Sequence, residues 1–202
     1  MQRDLLRLVA ITDNLRDGIN GLTRRAVASK RGGATMIQLR LPDEGARTLT
    51  AAARELMAAV DLPVVVHGRI DVALAAGAAG VHLGVDDIAV ADVRRLCGAD
   101  FVIGRSAGTE EDVRRAEGAD YVALGPAFVV DPRRPGSALG MSELERLTRA
   151  AGVPVIAVGG ISPATAPDAM RAGACGIALI SGILGSPDPE AAARELRSAI
   201  ER

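Results

Sequence analysis

Residues 154–163 read PVIAVGGISP: an apolar run, then Gly159 and Gly160, then a Ser-Pro pair of the kind that starts a helix. Adjacent glycines at a strand-to-helix junction have a structural use, supplying backbone angles that other residues avoid. They also have a chemical use, because bare amides at such a junction hold a phosphate. Ser181, closing the run GIALIS, adds a hydroxyl donor of the same kind. Other apolar runs end in polar residues as well. Gln38 and Arg40 close TMIQLR, His67, Gly68 and Arg69 follow PVVV, Asp86 and Asp87 follow GVHLG, and Arg105 and Ser106 follow DFVIG. A guanidinium fork matches a diphosphate, or else makes a surface ion pair. An imidazole at position 67 titrates near neutrality and can move a proton, or else packs at the end of its strand. His82, inside GVHLG, reads as a core histidine with its hydrogen bonds satisfied. Asp86 and Asp87 hold a cation or cap the helix that follows.

The elements that must carry these residues repeat along the chain. Apolar runs of strand length lie at 5–11, 35–40, 63–67, 80–84, 100–104, 120–125, 154–160 and 176–181. They are apolar on both faces, as parallel strands covered by helices must be. Between most of them lie segments such as GARTLTAAARELMAAV and MSELERLTRAA, rich in helix formers at helical spacing. Strand then helix, repeated in this way, predicts a single-domain (β/α)8 barrel over residues 1–202; an open, doubly wound sheet is the alternative. Three joints of one design, AGAAGVHLG, AEGADYVALG and RAGACGIALIS, end a helix in glycine and restart a strand. In a barrel the chemistry belongs to the C-terminal ends of the strands, which is where the polar residues and glycines above fall.

Composition bounds the function. About half of the 202 residues are hydrophobic, enough for a sizeable core, with one Tyr, two Phe and no Trp. The 24 basic and 25 acidic residues nearly cancel, which argues against a nucleic-acid partner. No long uninterrupted apolar run marks a membrane span, and MQRDLLR is not signal-like. Cys97 and Cys175 lack a Cys-x-x-Cys spacing and fit a cytoplasmic protein with reduced thiols.

Taken in order, LVAITD, MIQLR, GRIDVALAAGAAGVHLGVDD, IGRSAGTEED, GADYVALGPAF, GVPVIAVGGISP and GACGIALISGI resemble the thiamine phosphate synthase/TenI family over nearly the whole chain. The resemblance implies a (β/α)8 barrel that works as a homodimer. It also implies one of two activities. Synthases of the family join hydroxymethylpyrimidine diphosphate to a thiazole phosphate with Mg²⁺, giving thiamine phosphate and pyrophosphate. TenI-type relatives bind the thiazole phosphate and isomerise its carboxylated form.

Residue by residue, the resemblance places Gln38 and Arg40 on the pyrimidine diphosphate and Ser106 at the diphosphate region. It makes Asp87 the second of two Mg²⁺ carboxylates, and Gly159, Gly160 and Ser181 the thiazole phosphate cradle. The chain also departs from the pattern. His67 and Gly68 stand where synthases have Asn-Asp, the Asp being the first Mg²⁺ ligand. Pro42 replaces a lysine, and a Thr-x-Thr-Lys clamp reads VDPR, with Arg133 left to supply its charge. The tautomerase histidine falls on Pro126 and its acidic partner on Leu41. The expectation is therefore a TenI-like thiazole tautomerase that needs no cofactor. In it His67 and Ser106 are catalytic, and Gln38, Arg40, Arg69, Arg133, Gly159, Gly160 and Ser181 hold a small-molecule phosphate. The alternatives are the synthase, with Mg²⁺ at Asp87, and a non-catalytic protein that binds thiazole or thiamine phosphate.

Overall fold

A computed structural model describes residues 3–130 and 138–202; Arg133 lies outside the described residues. Eight parallel strands close into a barrel in chain order: β1 (Leu8–Ile11), β2 (Met36–Leu39), β3 (Val64–His67), β4 (Gly80–Leu83), β5 (Val102–Ala107), β6 (Tyr121–Leu124), β7 (Val155–Val158) and β8 (Gly176–Leu179). Hydrogen bonding between β1 and β8 closes the ring, which decides for the barrel over the open sheet. The helices are α1 (Gly18–Arg31), α2 (Ala46–Ala59), α3 (Ile70–Ala76), α4 (Val90–Cys97), α5 (Glu110–Arg115), α6 (Gly140–Ala150), α7 (Ala166–Arg171) and α8 (Pro189–Ala199).

Two shells of apolar side chains explain why the strands read as apolar on both faces. One face of each strand packs outward against the helices, in a layer that includes Leu22, Leu56, Leu144 and Leu196. The other fills the barrel with Val9, Ile11, Met36, Val65, Tyr121, Ala123, Ile156 and Ala178. Leu6, on a 3-10 turn at residues 3–6, plugs the base of the barrel. The three αβ joints turn at Gly77, Gly118 and Gly173, all with positive φ, as their shared design predicts.

One expectation needs correcting. The fifth strand runs on to Ala107 instead of stopping at Gly104, so Gly104 lies inside the barrel, not on its rim. Its register partner on β6 is Tyr121, whose ring occupies the space a side chain at 104 would need.

Candidate active site

Strand alternation decides which polar residues face the barrel mouth. Met36 and Val65 point inward, so Gln38 and His67, two residues on, do too. The register then sets His67 directly opposite His82 on β4, and His82 opposite Gly104 on β5. The two imidazoles stack with centroids 5.6 Å apart at an interplanar angle of 19°. His67 is thus turned to the mouth rather than to the helices.

Each of these groups is tied in place. The Gln38 amide nitrogen donates to His67 Nδ1 at 3.0 Å, which puts the imidazole proton on Nε2. Burial, and secondarily the Arg40 guanidinium, lower the pKa of His67, with Asp87 opposing. Arg40 is placed by a latch between the first two loops. Its N–H donates to Thr12 Oγ1 at 2.8 Å, and the Thr12 hydroxyl donates back to the Arg40 carbonyl at 2.9 Å. Arg40, His67 and Arg69 line a cavity of about 230 Å³ with Leu41, Pro42 and Glu44. Arg69 forms a bidentate pair with Asp71, at 2.6 and 2.8 Å, and stands partly in solvent. Its charge is therefore already committed to a carboxylate.

Ser106, part-buried on β5, lies 2.9 Å from His82 Nε2, and Tyr121 Oη lies 3.0 Å from His82 Nδ1. His82 is only 2% exposed, and burial pushes its pKa down to about 3, so it is neutral. The core reading of His82 holds, and one of its partners is a residue expected at the site.

Gly159, Gly160 and Ser181 come together at the ends of β7 and β8, around a cavity of about 220 Å³ also lined by Val130, Val158 and Ile180. Among the described residues, the N–H groups of Gly159, Gly160, Ser181 and Gly182 donate to no other backbone group. The glycines serve packing as well. Both have positive φ, and a Cβ on Gly160 would lie 2.5 Å from the Phe128 carbonyl oxygen. The structural and chemical uses of this pair are therefore compatible, and a side chain at either position collides with the loop after β6 before it reaches the cavity.

Asp87 does not cap α4, whose N-cap is Ala89. Its Oδ2 accepts from the Gly84 N–H at 2.6 Å and folds the β4–α4 loop back on itself. A Cβ at Gly68 would lie 3.5 Å from that same oxygen, so positions 68 and 87 do face each other. With glycine at 68, the donor set is one carboxylate short of the pair that the resemblance implies for Mg²⁺. Among the described residues, no group of three or more His, Cys, Asp or Glu could hold a metal ion. Magnesium is commonly held by one or two carboxylates together with substrate phosphates and water, and Asp87 can supply one such carboxylate.

Sequence reasoning missed Tyr121 and Thr12. Tyr121 looked like one more apolar strand residue, and only its register partner Gly104 signals that a large ring turns into the barrel. Thr12 follows β1, and its role as a latch depends on the β1–β2 register. No helix among the described residues is long and apolar enough to cross a membrane.

A family model described as thiamine monophosphate synthase matches residues 8–183. A thiamine-phosphate synthase of Roseiflexus sp. (strain RS-1) is 42% identical over 94% of this chain and 83% of its own length. One of Xanthobacter autotrophicus is 36% identical over 96% of this chain and 95% of its own. Among solved structures, a thiamine phosphate pyrophosphorylase from Pyrococcus furiosus superposes with a TM-score of 0.86 at 32% identity, covering 98% of this chain and 97% of that one. A barrel that gathers paired glycines and a Gln-x-Arg segment at its mouth, matched by such relatives over nearly its whole length, belongs to the thiamine monophosphate synthase family.

Proposed function

We propose that this chain is a thiamine-phosphate synthase, and that the alternative drawn from its sequence describes it better than the tautomerase does. The observation that carries the reading is that the mouth has two compartments. One is the cradle of Gly159, Gly160 and Ser181; the other is the cavity of Arg40 and His67. Two phosphorylated substrates need two anion sites, whereas an isomerase needs one. The names of the relatives point the same way. Further, Nδ1 of His67 is occupied and its protonation disfavoured, while Pro126 offers no titratable group.

In this reading the thiazole phosphate sits on the amides and hydroxyl at the ends of β7 and β8, where backbone donors favour negative charge. The pyrimidine diphosphate lies toward Gln38 and Arg40, with the Ser106 hydroxyl beside it. Carbon–oxygen bond cleavage releases pyrophosphate as the new bond to the thiazole ring forms. Preorganised donors at the developing charge, Arg40 and Ser106, lower that barrier. Mg²⁺ would be held by Asp87 together with diphosphate oxygens and water, and would offset the charge of the departing pyrophosphate.

The test is turnover of purified protein with hydroxymethylpyrimidine diphosphate and thiazole phosphate, scored as thiamine phosphate and pyrophosphate. It is run beside an assay with carboxylated thiazole phosphate. Coupling supports the synthase. Isomerisation alone replaces it with the tautomerase, for which the inward His67 is the one favourable observation; His67→Asn would then lower that rate by about a hundredfold. Binding without either turnover replaces it with a carrier. Pairing of two copies belongs to the same reading and is checked by light scattering.

A further inference from the structure

Tyr121, His82 and Ser106 form one hydrogen-bonded line across three strands, from the middle of the barrel to its mouth. The line exists because Gly104 has no side chain. Tyr121 on β6 reaches over Gly104 on β5 to His82 on β4. Each member can be given a proton by counting donors. A neutral imidazole has one N–H and one bare nitrogen. If Nδ1 carried the proton it would donate to Tyr121 Oη, and the phenol hydrogen would have no acceptor among the described residues in a fully buried position. A buried donor left unpaired carries its full desolvation penalty, so this arrangement is disfavoured. In the other arrangement the phenol donates to bare Nδ1, Nε2–H donates to Ser106 Oγ, and every buried donor is satisfied.

We infer that Tyr121 and His82 are positioning residues that fix Ser106 as a hydrogen-bond donor to an anion at the barrel mouth. With its oxygen already accepting from Nε2–H, the Ser106 hydroxyl cannot spend its own hydrogen on His82 and turns it outward. The serine is thereby unsuited to act as a nucleophile activated by that histidine. The arrangement offers no base to take its proton, although serine, histidine and a third polar group stand in a row. His67 reinforces the assignment. It stacks on His82 and has its own Nδ1 filled by the Gln38 amide, so both imidazoles carry the proton on Nε2. The inference rests on the proposed reading of Ser106 as an anion contact.

The chain has two histidines, so nitrogen-15 spectra of the imidazoles are simple to assign. In the wild-type protein near neutral pH, His82 is expected to show a protonated Nε2 and a bare Nδ1. A protonated Nδ1 overturns the inference. Inorganic pyrophosphate is the binding probe. Tyr121→Phe frees Nδ1, and the expected result is a mixed His82 tautomer with affinity weakened about fivefold. Ser106→Ala should weaken it by a similar factor, and the double variant no further than Ser106→Ala alone. Additive losses, or a wild-type tautomer and affinity in Tyr121→Phe, overturn the positioning role. If the wild-type tautomer is as expected but Ser106→Ala binds pyrophosphate like wild type, the reading of the site fails, and with it the inferred use of the hydroxyl.

Discussion

Adding a single methyl group at position 104 tests the architecture of the barrel interior. A Cβ built on Gly104 lies 2.5 Å from Tyr121 Cε1 and closer still to Cζ and Oη. Backbone on β5 cannot give way without moving its neighbours, so the ring must leave its place. Overpacking of this kind costs about 1–3 kcal/mol. Displacing the phenol also strips His82 Nδ1 of its donor, a further penalty of about 1–3 kcal/mol for an unpaired buried group. Gly104→Ala is therefore expected to lose about 4 kcal/mol, a large share of the ~5–15 kcal/mol that holds a typical domain folded. Tyr121→Leu removes the colliding atoms, so in that background Gly104→Ala should cost less than about 1 kcal/mol. The coupling between the two sites, about 3 kcal/mol, lies at the top of the range for residues in contact. Urea denaturation of the four proteins measures it. Gly104→Ala within about 0.5 kcal/mol of wild type, or equal losses in both backgrounds, would show that the glycine is not kept small by the ring.

His82 titrates near 6.5 when unfolded and only at about 3 when folded, so between these values the unfolded chain binds the extra proton. Stability from this group is complete above pH 6.5 and falls as pH drops towards 3; at pH 5 the loss is about 2 kcal/mol, from 1.36 kcal/mol per pH unit. His82→Gln should lose about 2 kcal/mol less than wild type between pH 7.5 and pH 5 in denaturant titrations, and parallel pH profiles would refute the buried neutral imidazole. At Gly68, φ is +67° and the would-be Cβ faces Asp87. Gly68→Asp should cost about 1–2 kcal/mol without metal, from backbone strain and like charge. Millimolar Mg²⁺ should restore it through binding to the folded state, while the wild-type melting curve shifts little; indifference of Gly68→Asp to Mg²⁺ would separate the two positions.

The barrel was readable because its evidence is local. Apolar runs of strand length, helix formers between them and glycines at the αβ joints each follow from residues close in sequence. The ends of β2, β3, β7 and β8 could be listed for the same reason, and Gln38, Arg40, His67, Gly159 and Gly160 lie at those ends. Facts that depend on register were not readable. Whether His67 turns inward, which ring fills the space at Gly104, and what Thr12 grips are all set by how far one strand slides past the next. Asp87 shows a further limit. A carboxylate three residues before a helix reads equally as a cap or a metal ligand; the N-cap at Ala89 removes the first, and the 2.6 Å contact with the Gly84 amide adds a loop closure that no local pattern announces. Gly160 is likewise closed to substitution by its surroundings: with the Phe128 carbonyl 2.5 Å from its Cβ position, an aspartate there is a folding defect before it is a repelling charge.

Tyr121 is the chain's single tyrosine, and there is no tryptophan. Tyrosine absorption and emission therefore arise at one point inside the barrel, one imidazole away from Ser106. Burial raises the phenol's pKa above its usual value of 10.0, so alkaline ionisation should lag behind that of free tyrosine until the barrel opens. The residue that lines up the interior also makes it visible: without any added label, its ultraviolet spectrum reports whether the eight strands remain closed.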